Sequence, residues 1–361
     1  MKNISSFILF LFIALFSCQN ITAQDIEQQI ANPTGEIANT TADDLWPKLM
    51  ERDRFNEFWN FQLYFDNGMK AHIVFSAAKF GRLNVTGARV SFYGLDDSKV
   101  YQLAREYPIE NLELDKENFI LNLNPRQNNV WFGGELPNDF RIYINTAKDG
   151  ERFKVDLQFD EIHPGFKWDD GLFRVQNEHI GIMTHIPFAR VSGTIGINEN
   201  VQEVTGTGYM DNTFQNDTTV RLMHSGYRFV SHADSENWNT LYFLRPKEQQ
   251  GRQTIGYRLK SVDGEVSLNG INGIINQESG RAFRESIPSE MTLFLDNHST
   301  LRIERVLDQE RFSVLSDLSW VARRAARLYL GGDVIDIRGT AKLHNYENET
   351  TQGDYNFFIV D

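Results

Sequence analysis

The chain has 361 residues, 49 of them acidic and 36 basic, and a single cysteine, Cys18. A net charge of -13 speaks against a nucleic-acid partner, because phosphate binding needs clustered positive charge; the acidity reads as solubility in a saline exterior. The length exceeds one typical domain and predicts two packed units or one large β structure.

Met1-Lys2-Asn3, an apolar run from Phe7 to Phe16 and the short stretch Ser17 to Ala23 have the order of a secretory signal, with a run too short to span a bilayer as a helix. Ile21-Thr22-Ala23 before Gln24 is the expected cleavage site; a competing reading takes Leu15-Phe16-Ser17-Cys18 as a loose lipobox, with Cys18 lipidated as a membrane anchor. Cleavage after Ala23 leaves 35 basic against 49 acidic residues and no cysteine, which excludes disulfides, cysteine-based metal sites and thiol catalysis.

Residues 24–45 are polar and read as a linker, followed by one short helix over Asp43 to Phe55 capped by Asp43 or Asp44. Period-two alternation then takes over. Phe58 to Phe65 and Lys70 to Ser76 flank Asp66-Asn67-Gly68, a hairpin turn signal. Similar segments recur at Ala88 to Tyr93, Phe119 to Leu123, Phe140 to Ile144, Arg152 to Phe159, Arg190 to Ile197 and Val220 to Val230. They continue at Thr240 to Leu244, Thr254 to Leu259, Met291 to Leu295, Leu301 to Val306, Ile335 to Leu343 and Tyr355 to Val360. With 27 Phe, 12 Tyr and 6 Trp, these strands predict a sandwich or barrel around a wide apolar interior. One late helix is expected over Leu315 to Leu330, its arginines 323, 324 and 327 on a solvated face and Gly331-Gly332 ending it.

No Gly-rich phosphate loop, His-Glu-x-x-His, Gly-x-Ser-x-Gly or cysteine cluster is present, and no pair of the eight histidines has helical metal-ligand spacing. No metal and no cofactor is expected. One stretch is more specific: His185-Ile186-Pro187-Phe188-Ala189-Arg190-Val191-Ser192-Gly193, followed by Gly206-Thr207-Gly208-Tyr209-Met210-Asp211-Asn212. On a strand, Tyr209 and Asp211 share one face. Glycines at 206 and 208 admit a close approach by another backbone or a ligand.

The Gly-Tyr-x-Asp-Asn segment at 208–212 resembles the signature strand of the lipocalin-like proteins of the hydroxyneurosporene synthase type, the carotenoid 1,2-hydratases, and their AttH relatives. Val191 to Gly193, Glu57-Phe58-Trp59-Asn60-Phe61 with its hairpin, and Ile337-Arg338-Gly339-Thr340-Ala341 resemble further anchors of that family. The resemblance implies an all-β fold of two consecutive lipocalin-like (calycin-type) antiparallel β-barrels or half-barrels with few short helices, here 46–215 and 216–361, and a pocket where they meet. It implies addition of water to a double bond by an acid, with Tyr209, Asp211 and an upstream histidine, His185, as the catalytic set. After Asn212 the pattern departs, Thr213-Phe214-Gln215 replacing a Trp-Gly-like ending, which bears on the substrate.

Each residue also has a purely structural reading: a core tyrosine, a turn aspartate, a buried histidine, a core Trp59. As substrate-binding candidates stand Trp59, Asn60, His224, and Arg190 and Arg221, either of which would pair bidentately with a carboxylate. An exported enzyme, secreted or periplasmic, meets polymers rather than carotenoids. The expected activity is therefore a dehydratase that eliminates water from the non-reducing-end uronate of oligosaccharides of the algal ulvan type, giving a 4,5-unsaturated uronate. His185 or Tyr209 would be the base, Asp211 or Tyr209 the acid. The alternatives are an isoprenoid hydratase and a lipid-binding lipocalin without chemistry.

Overall fold

The structure, a computed structural model, describes residues 30–48, 54–80, 83–96, 99–175, 177–247, 254–315, 324, 327–328, 331–345 and 349–361. Fourteen strands form one large sheet: β1 (Ile30–Ala31), β2 (Ile37–Asn39), β3 (Arg54–Phe65), β4 (Lys70–Phe80), β5 (Leu83–Asp96), β6 (Lys99–Pro108), β7 (Glu113–Asp115), β8 (Ile120–Asn122), β9 (Val130–Gly133), β10 (Phe140–Lys148), β11 (Glu151–Asp160), β12 (Phe166–Val175), β13 (Glu178–Ile197) and β14 (Asn200–Gln215). Eight more close into a barrel: β15 (Met223–His232), β16 (Trp238–Pro246), β17 (Ile255–Val262), β18 (Glu265–Ala282), β19 (Glu285–Leu295), β20 (Thr300–Ser313), β21 (Val334–His344) and β22 (Thr350–Val360). The chain is all-β, two lipocalin-like units in series.

The order β6-β5-β4-β3-β14-β13-β11-β10-β9-β8-β7 makes β3 and β9 distant neighbours in the sheet. Yet Phe61 of β3 packs on Phe132 of β9 and Phe140 of β10, 5.8 and 5.9 Å between ring centroids. The sheet therefore curls onto itself as a half-barrel around an aromatic core. The barrel has its own core, with Tyr227, Phe229, Phe243 and Leu293. A third apolar cluster joins the two units: Phe173, Ile182 and Phe188 of the sheet pack with Met223, Trp238 and Tyr257 of the barrel.

The predicted hairpin forms as β3 and β4, with Gly68 in the left-handed region at φ 84°. Glycine adopts that conformation without Cβ strain. Three expectations are corrected. Residues 42–45 form a single 3-10 turn and Phe55 already lies in β3, so no helix runs from Asp43 to Phe55; Asp44 closes the turn by accepting from Thr41 N at 2.7 Å. Val220 lies in a one-turn helix, α1 (Thr219–Leu222), because Thr218 caps it through Arg221 N at 3.2 Å; the strand begins at Met223. Within the expected linker, β1 and β2 pair with β12. The late helix falls almost wholly outside the described residues.

Candidate active site

On β14, Tyr209, Asp211 and Thr213 alternate on the face turned to the barrel, and register sets Gln62, Asn60 and Phe58 of β3 beside them. Thr213 donates to the Tyr242 hydroxyl (3.0 Å), and Thr184 bonds Tyr257 (3.0 Å) across the same junction. Asp211 is fully buried, and its carboxylate is saturated. Arg228 of β15 donates from Nη2 at 2.9 Å and brings Nε within 2.5 Å as an ion-pair contact, Asn60 donates at 3.2 Å, and the Tyr209 hydroxyl is a third donor. Burial pushes the carboxyl up, opposed by Arg228 and these hydrogen bonds. Arg228 is itself fixed by Asn356, 3.1 Å from Nη1, and by the Tyr242 ring 4.2 Å away.

The network continues through Asn60. Its amide nitrogen donates to Asp211, so its carbonyl oxygen faces His72 of β4 and accepts from Nε2. Nε2 must therefore carry the proton, and Nδ1 keeps its lone pair. Nδ1 has no hydrogen-bond partner. Burial, and then Arg338, Arg89 and Arg228, hold the imidazole well below its ordinary value, so the ring is neutral.

His72 lines a cavity of about 40 Å³ between sheet and barrel, together with Gln62, Tyr64, Lys70, Tyr93 and Arg338. That is room for about two or three waters, less than a sugar ring. Lys70 and Asp354, 2.6 Å apart, tie β4 to β22 across it. Beyond lies a second lock: Glu310 of β20 accepts from Arg338 (2.9 Å), Ser91 (2.6 Å), Arg89 (3.4 Å), Tyr93 and Gln102. Asp336 takes the remaining arms of Arg338 and Arg89 at 2.7 and 3.1 Å.

Solved structures share this two-unit architecture. An AttH-like protein of Nitrosomonas europaea aligns over 91% of this chain and 98% of its own, with a TM-score of 0.62 and 14% identity. Kievitone hydratase from Nectria haematococca covers 92% and 97% (TM-score 0.55, 12% identity), and CghA with Sch210972 covers 92% and 96% (TM-score 0.61, 12% identity). The chain has the AttH-like fold. No family model matches the sequence, and no curated protein does.

Within this AttH-like fold the structure brings Tyr209, Asp211 and Asn60 together and leaves the other candidates elsewhere. His185 sits at a bulge between Thr184 and Ile186, neither ring nitrogen has a partner, and its charged neighbours are Asp44, Lys48 and Lys167. It does not join the Tyr209–Asp211 network. Trp59 points to the opposite face from Asn60, its indole donating to Leu45 O (3.0 Å) and packing on Phe132. Arg190 is exposed on β13, Arg221 is exposed and paired with Asp217 (2.7 Å), and His224 is exposed at a bulge in β15. Gly206 is required by its own neighbour strand, since a Cβ there would lie 2.0 Å from Tyr64 O; at Gly208 the obstacles are Phe159 and Val191. No ligand is needed to explain either.

Sequence reasoning missed Arg228, His72, Arg338 and Glu310. Each occupies the polar phase of an alternating strand, which period-two logic assigns to solvent. A signal was present. The polar phase of β3 and β4 carries Asn60, Gln62 and His72, amides and an imidazole where a solvated face uses Lys and Glu.

Proposed function

We propose that this chain is a hydro-lyase acting at the sheet–barrel junction, and that it removes water from the non-reducing-end uronate of ulvan-type oligosaccharides. One observation carries the reading: Asp211, through Asn60, fixes His72, a residue of the cavity wall, with a proton on Nε2 and a neutral Nδ1 that has no hydrogen-bond partner. The name of kievitone hydratase supports water chemistry on this fold. Lys70, Arg338 and Asp354 border the cavity, charged groups that suit a uronate better than an isoprenoid or lipid.

His72 Nδ1 takes the C5 proton, which is acidified once the neighbouring carboxylate is neutralised. Lys70 is the cation for that carboxylate, exchanging Asp354 for substrate and so widening the cavity. Electrons from the C5–H bond form the C4–C5 double bond as the C4–O bond breaks, and Tyr64 protonates the departing hydroxyl to give water. The Tyr64 hydroxyl, held well above its ordinary value by burial and by Asp354, keeps the proton it must give. Tyr209 and Asp211 are positioning residues here, since every carboxylate contact of Asp211 is already taken. Export through a cleaved segment ending near Ala23 belongs to the same reading.

The test follows ultraviolet absorbance of the unsaturated uronate formed from saturated, uronate-ended ulvan oligosaccharides. His72→Gln is expected to lower kcat by about 10²–10⁴-fold with the fold intact; full activity in that variant would remove the assignment. Asp211→Asn is expected to cost activity and also to shift the pH profile, because an amide no longer dictates which way Asn60 faces. An unchanged profile would leave Asp211 a purely structural residue.

A further inference from the structure

The half-barrel has a second chemically distinctive surface, on its outer face and away from the junction. Along β9 and β10, Val130, Phe132, Ile142 and Ile144 are buried in the core. The alternating residues Trp131, Tyr143 and Asn145 are half-buried and Arg141 is exposed. Trp131 and Tyr143 are register partners, and their rings lie near-parallel, 5.6 Å between centroids at 28°. The same register runs on through Asn122 on one side and Asp156, then Thr194, on the other. This row crosses five adjacent strands, a span of about 19 Å at ordinary strand spacing.

Hydrogen-bonding side chains surround the two rings and are held in place by one another. Asn122 donates to Asn128 (2.8 Å), Asn129 to Gln127 (3.0 Å), and Arg141 grips Asp156 with two bonds of 2.8 Å while its guanidinium lies 5.7 Å from the Trp131 ring. The outward positions beyond them, Ser192, Thr194 and Gly196, are small and leave a low floor. An aromatic ledge rimmed by amides and a fixed charged fork has little apolar area for a protein core and much for hydroxyl groups.

The charge pattern narrows the class. Between Glu113 and Glu203, which flank the row at its two ends, Arg141, Arg152 and Lys154 form a basic stretch across β10 and β11, and Arg152 spends a guanidinium nitrogen on Asn145 (3.0 Å) rather than on an acid. The Arg141–Asp156 pair is nearly half exposed on both sides. An exposed pair of this kind holds weakly, so Arg141 is free to turn to another anion.

We propose that this face binds an acidic polysaccharide chain, its sugar rings stacked on Trp131 and Tyr143 and its carboxylate or sulfate groups met by Arg141 and its basic neighbours. The site is separate from the junction and independent of any turnover there. A cross-strand aromatic pair also strengthens a sheet, so the test must separate binding from folding.

The experiment is native affinity electrophoresis of the full mature chain through gels containing ulvan, alginate or polygalacturonate, with dextran as the neutral control. At least one polyanion is expected to slow the wild type and dextran not to. Tyr143→Ala and Arg141→Glu should each weaken retardation about tenfold with circular dichroism and Tm near wild type, while His72→Gln should be slowed as strongly as wild type. Trp131→Phe, which keeps a ring in the sheet, covers the case in which the larger truncations unfold; it should weaken retardation severalfold. The proposal fails if no polyanion retards the wild type, if dextran does so equally, or if folded variants at these positions are all retarded like wild type.

Discussion

Glu310→Ala is expected to lower the unfolding free energy by about 3–5 kcal/mol, the range for removing one partner from a buried ion pair. Glu310 is the acceptor on which the two units converge. Arg89, Ser91, Tyr93 and Gln102 reach it from β5 and β6, and Arg338 from β21 of its own barrel. Its loss leaves two buried guanidinium groups with only Asp336 between them. The carboxyl is held down at about 2 against burial, chiefly by Arg338 and Arg89. For a depressed acid the sign is fixed: its contribution is complete above the ordinary value of 4.5 and disappears as pH falls toward 2. A displacement of that size is worth about 3 kcal/mol, the same order as the mutational estimate. Urea unfolding at neutral pH measures it. A loss under about 1 kcal/mol would mean that apolar contacts, not this cluster, hold sheet to barrel.

Stability should also fall steeply on mild acidification, by about 2–3 kcal/mol per pH unit between pH 6 and 5. His72, His185 and His232 are buried and neutral; burial takes His185 to about 3 and His232 to about 4, and takes His72 well down with the help of three arginines. In the unfolded chain all three protonate near pH 6.5, so the unfolded state binds about three more protons and gains about 4 kcal/mol per unit as pH drops. Glu57 works the other way. Burial lifts its carboxyl to about 8, so the folded state holds a proton that the unfolded chain has released, which offsets about 1.4 kcal/mol per unit. Urea midpoints across this range give the slope directly. His185→Leu should flatten it by about 1.4 kcal/mol per unit; a slope unchanged by that substitution would mean that His185 is protonated in the folded protein.

The alternation from Phe58 onward, the Asp66-Asn67-Gly68 turn and the abundance of aromatics were enough to read an all-β chain and most strands of both units. The same logic found Tyr209 and Asp211 on one face, because a two-residue period needs only local geometry. It failed at Val220, where the hydroxyl of Thr218 stabilises a helical turn against a β-branched residue, and it has nothing to say of His185, which the family resemblance supplied and which sits at a bulge that breaks the period.

What the sequence determined by itself is local: strand phase, turn chemistry and which side chains travel together on a strand. The tertiary structure alone decided what covers each phase. Asn60, Gln62 and His72 carry the pattern of a wet face, and they are buried because β15, β21 and β22 of the barrel dock on it, bringing Arg228, Arg338 and Asn356 from more than 130 residues away along the chain from His72. Alternation separates two faces but cannot say which of two polar faces meets water and which meets the other unit. That choice rests on long-range docking, and with it the partner of Asp211 and the tautomer of His72.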